Sequence, residues 1–509
     1  MSSEKQKYDV VIIGSGIGGL VSALLLAKNG YKVCVLEKNQ QIGGALQVFS
    51  RDKRIFDTGV HYIGGLNPGE NLFKIFNYLE IYEELKLIKM DDNFDVIRLN
   101  NGRILKQGQG YELFTENLLN EFPEESIAIN TFVSKLQELC TYFPLYNLKL
   151  DGERTYYTNP EILSISAWNY LNELTTNQDL IAAILGNGLL YAGDKKRTPL
   201  YVVALILNSY INGSYRLADG GAQLVKALVK QIRLNGGDLF RRKEVVSGVK
   251  DENNTLTSVI CQDGEQYEAT SFISNLHPSV TMETLGAHYF KPATVKRIKS
   301  LKNTVACFVV NINLKENSFP YINHNFYDFF TDEVWNTVDY DSDSWPQVIF
   351  SCTSSSSKNT EFADSLSAMV YLKKDEFNEW NTTFNTIVSP SNRGLGYEEK
   401  KLFFENKIIN RLCERYPNLR DKIEKVYSST PLTFKDYLGT PEGEMYGIEK
   451  DFNDPAQTII NPRTKISNLY LTGQNIVFHG ILGATIGALV TSFNFVNGEE
   501  IVNKINSLK

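Results

Sequence analysis

The sequence predicts an α/β fold: a discontinuous Rossmann-type nucleotide-binding domain with a mixed-sheet plus helical substrate domain. Three observations predict it. An apolar strand runs into a G-x-G-x-x-G turn at Gly14, Gly16 and Gly19. A second strand-then-glycine pattern returns near the C-terminus, at Asn468 to Gly473. Between them, helical periodicity alternates with β-branched and aromatic runs, and no internal repeat is found.

The elements follow in order. Val10 to Ile13 reads as a buried parallel strand, and Leu20 to Lys28 continues with helical periodicity. Gly14 permits the tight turn, Gly16 lets backbone approach a pyrophosphate, and Gly19 lets helix and strand pack closely. Lys32 to Leu36 is the second strand, with Glu37 placed at its end to bind ribose hydroxyls. Residues 76–200 read as mostly helical, with Ile129 to Leu139 clearly amphipathic. Leu217 to Asn235 reads as a helix entered through Gly220 and Gly221 and stopped by Gly236 and Gly237. Strands follow at Asp238 to Phe240 and Glu244 to Val249. A hairpin forms around Asp263-Gly264, from Leu256 to Cys261 and Gln266 to Ser271, and a short strand at Ser271 to Asn275. Ala306 to Leu314 and Val348 to Cys352 are strand-like, and Ser354 to Ser357 is a polar loop tip. A final helix is expected over Gly483 to Asn497. The nucleotide-binding domain is therefore expected in three pieces, 1–75, 201–279 and 451–509. The substrate domain comes from the inserts, helical over 76–200 and sheet with helices over 280–450.

Composition excludes several classes. The net charge of −7 over 509 residues does not suit a nucleic-acid binder. With 27 Tyr and 28 Phe the chain is not disordered. The six Cys are scattered without C-x-x-C, which predicts free structural thiols in a reducing compartment. Five His without H-x-x-x-H spacing predict no metal site. The chain opens on the polar MSSEKQKYD and holds no run of 18 apolar residues, so no signal peptide or transmembrane segment is expected. Ile476 to Val490 comes nearest and reads better as a glycine-rich helix start. A cytoplasmic protein is expected. The basic stretch Lys291 to Lys302, with Val295, Ile298 and Leu301 at helical spacing, is a candidate for peripheral contact with an anionic membrane, although a solvated helix face is the plainer reading.

The first glycine turn alone does not separate NAD from FAD. Two features do. Gly43-Gly44 follows Glu37 closely and lets the chain pass an extended dinucleotide. The strand ending Leu471-Thr472-Gly473-Gln474 precedes a glycine-rich helix start, a second set of N–H donors. Together they indicate FAD. The candidate cofactor-binding residues are Gly14, Ser15, Gly16, Ile17, Gly18 and Gly19; Glu37 and Lys38; Gly43, Gly44 and Ala45; Gly59, Val60 and His61; Val245 and Asn275; and Gly473, Gln474, Gly480, Gly483 and Ala484. No second strand–G-x-G-x-x-G–helix unit exists, so NAD(P)H is a candidate electron donor only without a dedicated domain.

At these residues the chain resembles the phytoene desaturase and retinol saturase (all-trans-retinol 13,14-reductase) family of the flavin amine-oxidase-like superfamily. Phe56 to Gly64 (FDTGVHYIG), Tyr215 to Ala222 (YRLADGGA) and Asn468 to Leu489 (NLYLTGQNIVFHGILGATIGAL) carry the resemblance, with support from Ile273 to Asn275 and Thr430 to Thr433. Ala45 stands where many relatives have Arg. His479 stands where a small or sulfur-bearing residue is expected in the animal enzymes, and a long hydrophobic N-terminal segment like theirs is not expected here. The resemblance implies an FAD enzyme reducing a carbon–carbon double bond of a retinoid- or carotenoid-like polyene or related lipid. A carotenoid desaturase or isomerase is the enzymatic alternative. A non-catalytic prenyl-lipid-binding protein of GDP-dissociation-inhibitor type is the alternative from another class.

The flavin would carry the hydride step, which leaves a proton for the protein to supply. His61, Tyr62 and His479 are the candidate catalytic residues. Each also has a plainer reading, as a flavin contact or a packing ring. The aromatic run Phe326 to Phe330 and Trp335 are candidates for lining an apolar substrate tunnel, since burying each CH₂ is worth roughly 0.8 kcal/mol.

Overall fold

The computed structural model describes residues 7–150, 159–335, 339–357 and 359–508. Two seven-stranded sheets organise it. The first runs, edge to edge, Val245–Lys250, Leu256–Cys261, Gln266–Ser274, Lys7–Ile13, Val33–Glu37 and Asp238–Arg241, with Leu469–Leu471 paired to the far half of Gln266–Ser274. The five strands at its heart are parallel. Val33–Glu37 is buried throughout, as a parallel strand covered on both faces must be. Helix Ile17–Lys28 packs on this strand, and helix Gly480–Ser492 packs against that helix.

Strand order turns at Lys7–Ile13, whose neighbours lie on opposite sides of it. Such a switch point opens a crevice at the carboxyl ends of the strands. Three backbone hydrogen bonds close its floor: Gly14 N–H to Leu36 (2.8 Å), Asn275 N–H to Ile13 (2.9 Å) and Thr472 N–H to Ser274 (2.9 Å). The N-terminal, middle and C-terminal stretches of the chain therefore meet at one point.

The second sheet runs Ile423–Ser429, Ala306–Leu314, Ser365–Leu372, Val348–Thr353, Asn325–Phe329, Asn93–Arg98 and Ile104–Gly108. It is antiparallel except where Asn325–Phe329 meets Asn93–Arg98. Period-2 alternation gives it two working faces. Phe308, Val310, Ile312 and Ala368 pack with Phe404, Ile408 and Leu412 of helix Leu395–Arg415. Cys307, Val309, Phe350 and Met369 face the first sheet.

Several boundaries differ from the sequence reading. The first helix starts at Ile17 and the second strand at Val33. Leu217 closes a short strand, Tyr215–Leu217, and the helix begins at Ala222, because Gly220 sits at φ +88°, outside helical space. Gln266–Ser274 is one strand rather than a hairpin arm and a separate strand. The last glycine-rich helix spans Gly480–Ser492, and Asn497 caps a further helix, Gly498–Ser507, by accepting from Glu500 N–H. The stretch read as mostly helical, 76–200, also contributes Asn93–Arg98 and Ile104–Gly108 to the second sheet.

All six cysteines are free thiols. The basic stretch is a helix, Pro292–Ser300, with Ile298 buried and Val295 packed on the core. Arg297 donates to Gln457 O (2.8 Å), Lys299 pairs with Glu283 (2.7 Å) and Lys302 with Glu449 (3.4 Å), so these cations have partners within the protein. Among the described residues no helix is long and apolar enough to cross a membrane.

Candidate functional site

A cavity of about 390 Å³ opens at the switch point and continues under the second sheet. Its first half is a cradle of backbone. Gly14, at φ +93°, turns the first strand into helix Ile17–Lys28, whose N-terminus carries no side-chain cap. Helix Gly480–Ser492 also starts without a side-chain cap. Ile17, Gly18, Gly480 and Ala484 all line the cavity, so two helix N-termini offer free N–H groups and positive dipole ends there. That arrangement suits a diphosphate.

The cradle has no room for side chains. A Cβ on Gly18 would lie 2.5 Å from Gly473 Cα, and one on Gly16 2.7 Å from Asn275 Nδ2. Gly473, at φ +91°, would bring a Cβ within 2.4 Å of Asn275 Oδ1. Asn275 thus sits among three glycines and fixes their spacing.

Glu37 is 5 % exposed at the end of its strand. Its Oε2 accepts from Ser15 N–H (3.1 Å) and Ser15 Oγ (2.5 Å), and its Oε1 from Asn39 N–H (2.9 Å). Ser15 Oγ in turn accepts from Gly43 N–H (3.0 Å), tying the two glycine turns together. A carboxylate offers about four lone-pair sites. One on Oε1 is left for a ribose hydroxyl. Lys38 Nζ and Asn39 Nδ2 donate to the carbonyls of Asp436 (3.0 Å) and Tyr437 (2.8 Å), which brings the turn after them over this end of the cavity. Val245 lines the same cavity. The residues present fit a flavin–adenine dinucleotide: a diphosphate between two helix starts, a ribose acceptor on Glu37, and glycine walls that let the chain lie close.

Of the cofactor residues expected from sequence, Gly43, Gly44, Ala45, Gly59, Val60, His61 and Gln474 also line the cavity, and two residues do not. Gly19 would press a Cβ against Gly14 O at 2.2 Å, and Gly483 against Phe478 O at 2.1 Å. Both serve helix packing, which corrects their reading as cofactor contacts.

The second half of the cavity is apolar. Cys307, Val309, Phe350 and Met369 form one wall, and Leu205 and Ile206 of helix Leu200–Ile211 another. Of the run Phe326 to Phe330 only Tyr327 lines it. Phe326 lies under the Arg98 guanidinium at 3.9 Å, and Trp335 packs into the helical insert, donating to Leu185 O (3.1 Å). Neither reaches the cavity; its aromatic lining comes instead from Tyr62, Tyr210, Tyr327, Phe350, Tyr446 and Phe478, beside aliphatic and sulfur neighbours.

The three candidate catalytic residues all line the cavity. His61 packs at 5.3 Å against Phe350 with the rings tilted by 40°, and burial pushes its pKa down, opposed by Asp57 and reinforced by Arg216. His479 places Nδ1 2.9 Å from Tyr446 O. Burial, then the nearby Lys450 ammonium, pushes its pKa down to about 3. His479 is neutral at pH 7 with its Nδ1 proton on a carbonyl, so it offers Nε2 as an acceptor rather than a proton to give. Tyr62 hydrogen-bonds both Asp95 Oδ2 (2.9 Å) and the Tyr327 hydroxyl (2.8 Å). Asp95 is wholly buried, and burial raises its carboxyl to about 6. Sequence reasoning missed Asp95, and it marked Tyr327 only as one ring of the run Phe326 to Phe330, not as a partner of Tyr62. Tyr327 lies 265 residues from Tyr62, and no local pattern marks their contact or the acid behind it.

The chain resembles known proteins along nearly all its length. Residues 12–79 match the NAD(P)-binding Rossmann-like domain family. It is 27 % identical to an all-trans-retinol 13,14-reductase of Danio rerio, over 97 % of this chain and 86 % of that one. It is 25 % identical to prolycopene isomerase 2, chloroplastic, of an Oncidium hybrid cultivar, over 93 % and 81 %. Wild-type putrescine oxidase with bound putrescine shares its fold, at a TM-score of 0.64 and 14 % identity over 96 % of this chain and 99 % of that one.

Proposed function

We propose that this relative of the retinol 13,14-reductases and prolycopene isomerases is an FAD-dependent oxidoreductase that reduces a carbon–carbon double bond of an apolar polyene. One observation carries the reading: a single cavity joins the dinucleotide cradle to a chamber walled by Cys307, Val309, Phe350 and Met369. FAD, when bound, supplies two-electron hydride chemistry at carbon.

The chain's own residues bind and position. The helix starts at Ile17 and Gly480 hold the diphosphate, and Glu37 accepts from the ribose. The apolar wall takes a hydrocarbon chain and excludes water, at roughly 0.8 kcal/mol for each CH₂ it buries. His61 and His479, held neutral by burial, face the polyene space as uncharged rings. NAD(P)H as the reductant and a membrane as the substrate's source belong to this proposal.

Two other readings stay in view. The prolycopene isomerase relatives favour isomerisation as the runner-up. A lipid-binding protein without a cofactor is disfavoured because the glycine cradle is intact.

The purified protein decides among them. A yellow preparation that releases FAD is expected, and a colourless one that FAD cannot reconstitute would overturn the enzyme reading. The photoreduced holoenzyme is then mixed anaerobically with all-trans-retinol, prolycopene and β-carotene. Return of the yellow colour with loss of polyene absorbance supports a saturase. Bleaching of the oxidised enzyme by a saturated precursor means the reaction runs the other way.

A further inference from the structure

We propose that Asp95, Tyr62 and Tyr327 form a proton wire that opens on the apolar half of the cavity, with Asp95 as its store and Tyr327 as the terminal donor. The inference rests on the reading above for its use, but not for its existence.

Asp95, on strand Asn93–Arg98, is wholly buried. Its Oδ1 accepts from Asn325 Nδ2 (2.8 Å), and its Oδ2 from Tyr62 OH (2.9 Å) and Asn187 Nδ2 (3.3 Å). Among the described residues no cation touches it. The Arg216 guanidinium stops one residue away, donating to Asn325 Oδ1 at 2.9 Å. A carboxylate sealed among amides and a phenol, with its nearest positive charge relayed through an amide, pays for burial without an ion pair. Burial raises Asp95 to about 6, so both protonation states are populated near neutrality.

The protonation state sets the direction of the chain of O–H groups. When Asp95 is ionised, Tyr62 donates to it and Tyr327 donates to Tyr62, so no proton faces the cavity. When Asp95 is protonated, its O–H donates to Tyr62, Tyr62 donates to Tyr327 across 2.8 Å, and the Tyr327 proton is left free. Both rings line the cavity.

The step balances. Reduction of C=C needs a hydride on one carbon, from the reduced flavin as reductant, and a proton on the other. Tyr327 O–H breaks as the second C–H bond forms, the Tyr62 proton passes to Tyr327, and the Asp95 proton passes to Tyr62. The carboxylic acid ends as a carboxylate. Water admitted on product release returns the proton along the same oxygens.

Other titratable groups face this site and bear on its pH dependence. Tyr210 on helix Leu200–Ile211 interacts with Asp95. Asp57, raised to about 6 by burial, and His61 share the field of Arg216.

Two measurements test the wire on the FAD-loaded protein. Infrared difference spectra across pH 4 to 8 are expected to show a protonated-carboxyl carbonyl band that titrates near pH 6. Asp95→Asn should remove this band and Tyr62→Phe should shift it. Absence of the band, or its indifference to Tyr62→Phe, overturns the proposal whatever the substrate. In anaerobic single turnover with all-trans-retinol, Tyr62→Phe and Tyr327→Phe should each lower the reduction rate by about 10²- to 10⁴-fold, the usual worth of a general acid. Retinol affinity, read by quenching of protein fluorescence, should change less than threefold. Rates within threefold of wild type overturn the relay. A wild-type protein that shows the band but reduces no polyene sinks the saturase reading and leaves the wire standing.

Discussion

His277 caps helix Pro278–Leu285 with its ring: Nδ1 accepts from Ser279 N–H (3.2 Å), and Nε2 lies 3.0 Å from Asn303 Oδ1. This tautomer has no place for a second proton, because protonating Nδ1 would break the cap. Burial pushes its pKa down to about 4. The unfolded chain, with His near 6.5, therefore binds more protons than the folded one. Stability from this residue is present above pH 6.5 and is lost as pH falls toward 4. Between pH 7 and pH 5 the loss is about 2 kcal/mol. His277→Asn keeps a cap acceptor and removes the titration. Urea unfolding of the variant should show about that much less loss over the same pH interval; an unchanged pH slope would contradict the assignment. At this scale the sequence was partly legible. Glu37 announced itself by ending a strand after a glycine turn. Asp95 did not, because an acid in a half-alternating strand reads as a solvent-facing residue until the opposite wall is known.

At the scale of elements, the second sheet separates two tasks by the alternation of side chains. Met369 points to the cavity, and its neighbour Ala368 points to helix Leu395–Arg415. Met369→Trp should fill the chamber, weaken retinol binding at least tenfold and leave FAD content unchanged. Ala368→Leu should destabilise by overpacking, typically about 1–3 kcal/mol, and leave the affinity for retinol alone. Fluorescence titration with retinol and thermal unfolding of both variants check the pair, and equal effects on binding would mean that the faces are misassigned. The helices at the cradle follow the opposite logic. Ile17–Lys28 and Gly480–Ser492 matter through backbone at their first turns, so their glycines were legible from spacing. The packing role of Gly19 was legible from its place in the turn, whereas that of Gly483 was not separable from cofactor contact without knowing that Phe478 stood opposite.

In the whole molecule, three distant stretches of chain close one crevice, through Gly14, Asn275 and Thr472. A ligand there binds the folded state and not the unfolded chain, so it must stabilise the whole. FAD at a hundred times its dissociation constant should add about 2.7 kcal/mol. Glu37→Ala removes the carboxylate proposed to accept from the ribose and loosens Ser15, a loss of about 1.5–3 kcal/mol in binding. Thermal shift titrations should then need roughly 10- to 100-fold more FAD to reach the same rise in unfolding midpoint. An unaltered titration would take Glu37 out of the site.

The sequence by itself determined the first half of the glycine cradle, from Gly14 to Glu37. Its requirements are local: a strand, a positive-φ glycine, a helix start and an acid at a fixed spacing dictate backbone conformation wherever they occur. Only the tertiary structure decided the chamber and the wire. Asp95 meets Asn325 across 230 residues, and Tyr62 meets Tyr327 across 265. Contacts of that reach arise from sheet register and from how the two sheets face each other, and neither leaves a period in the chain.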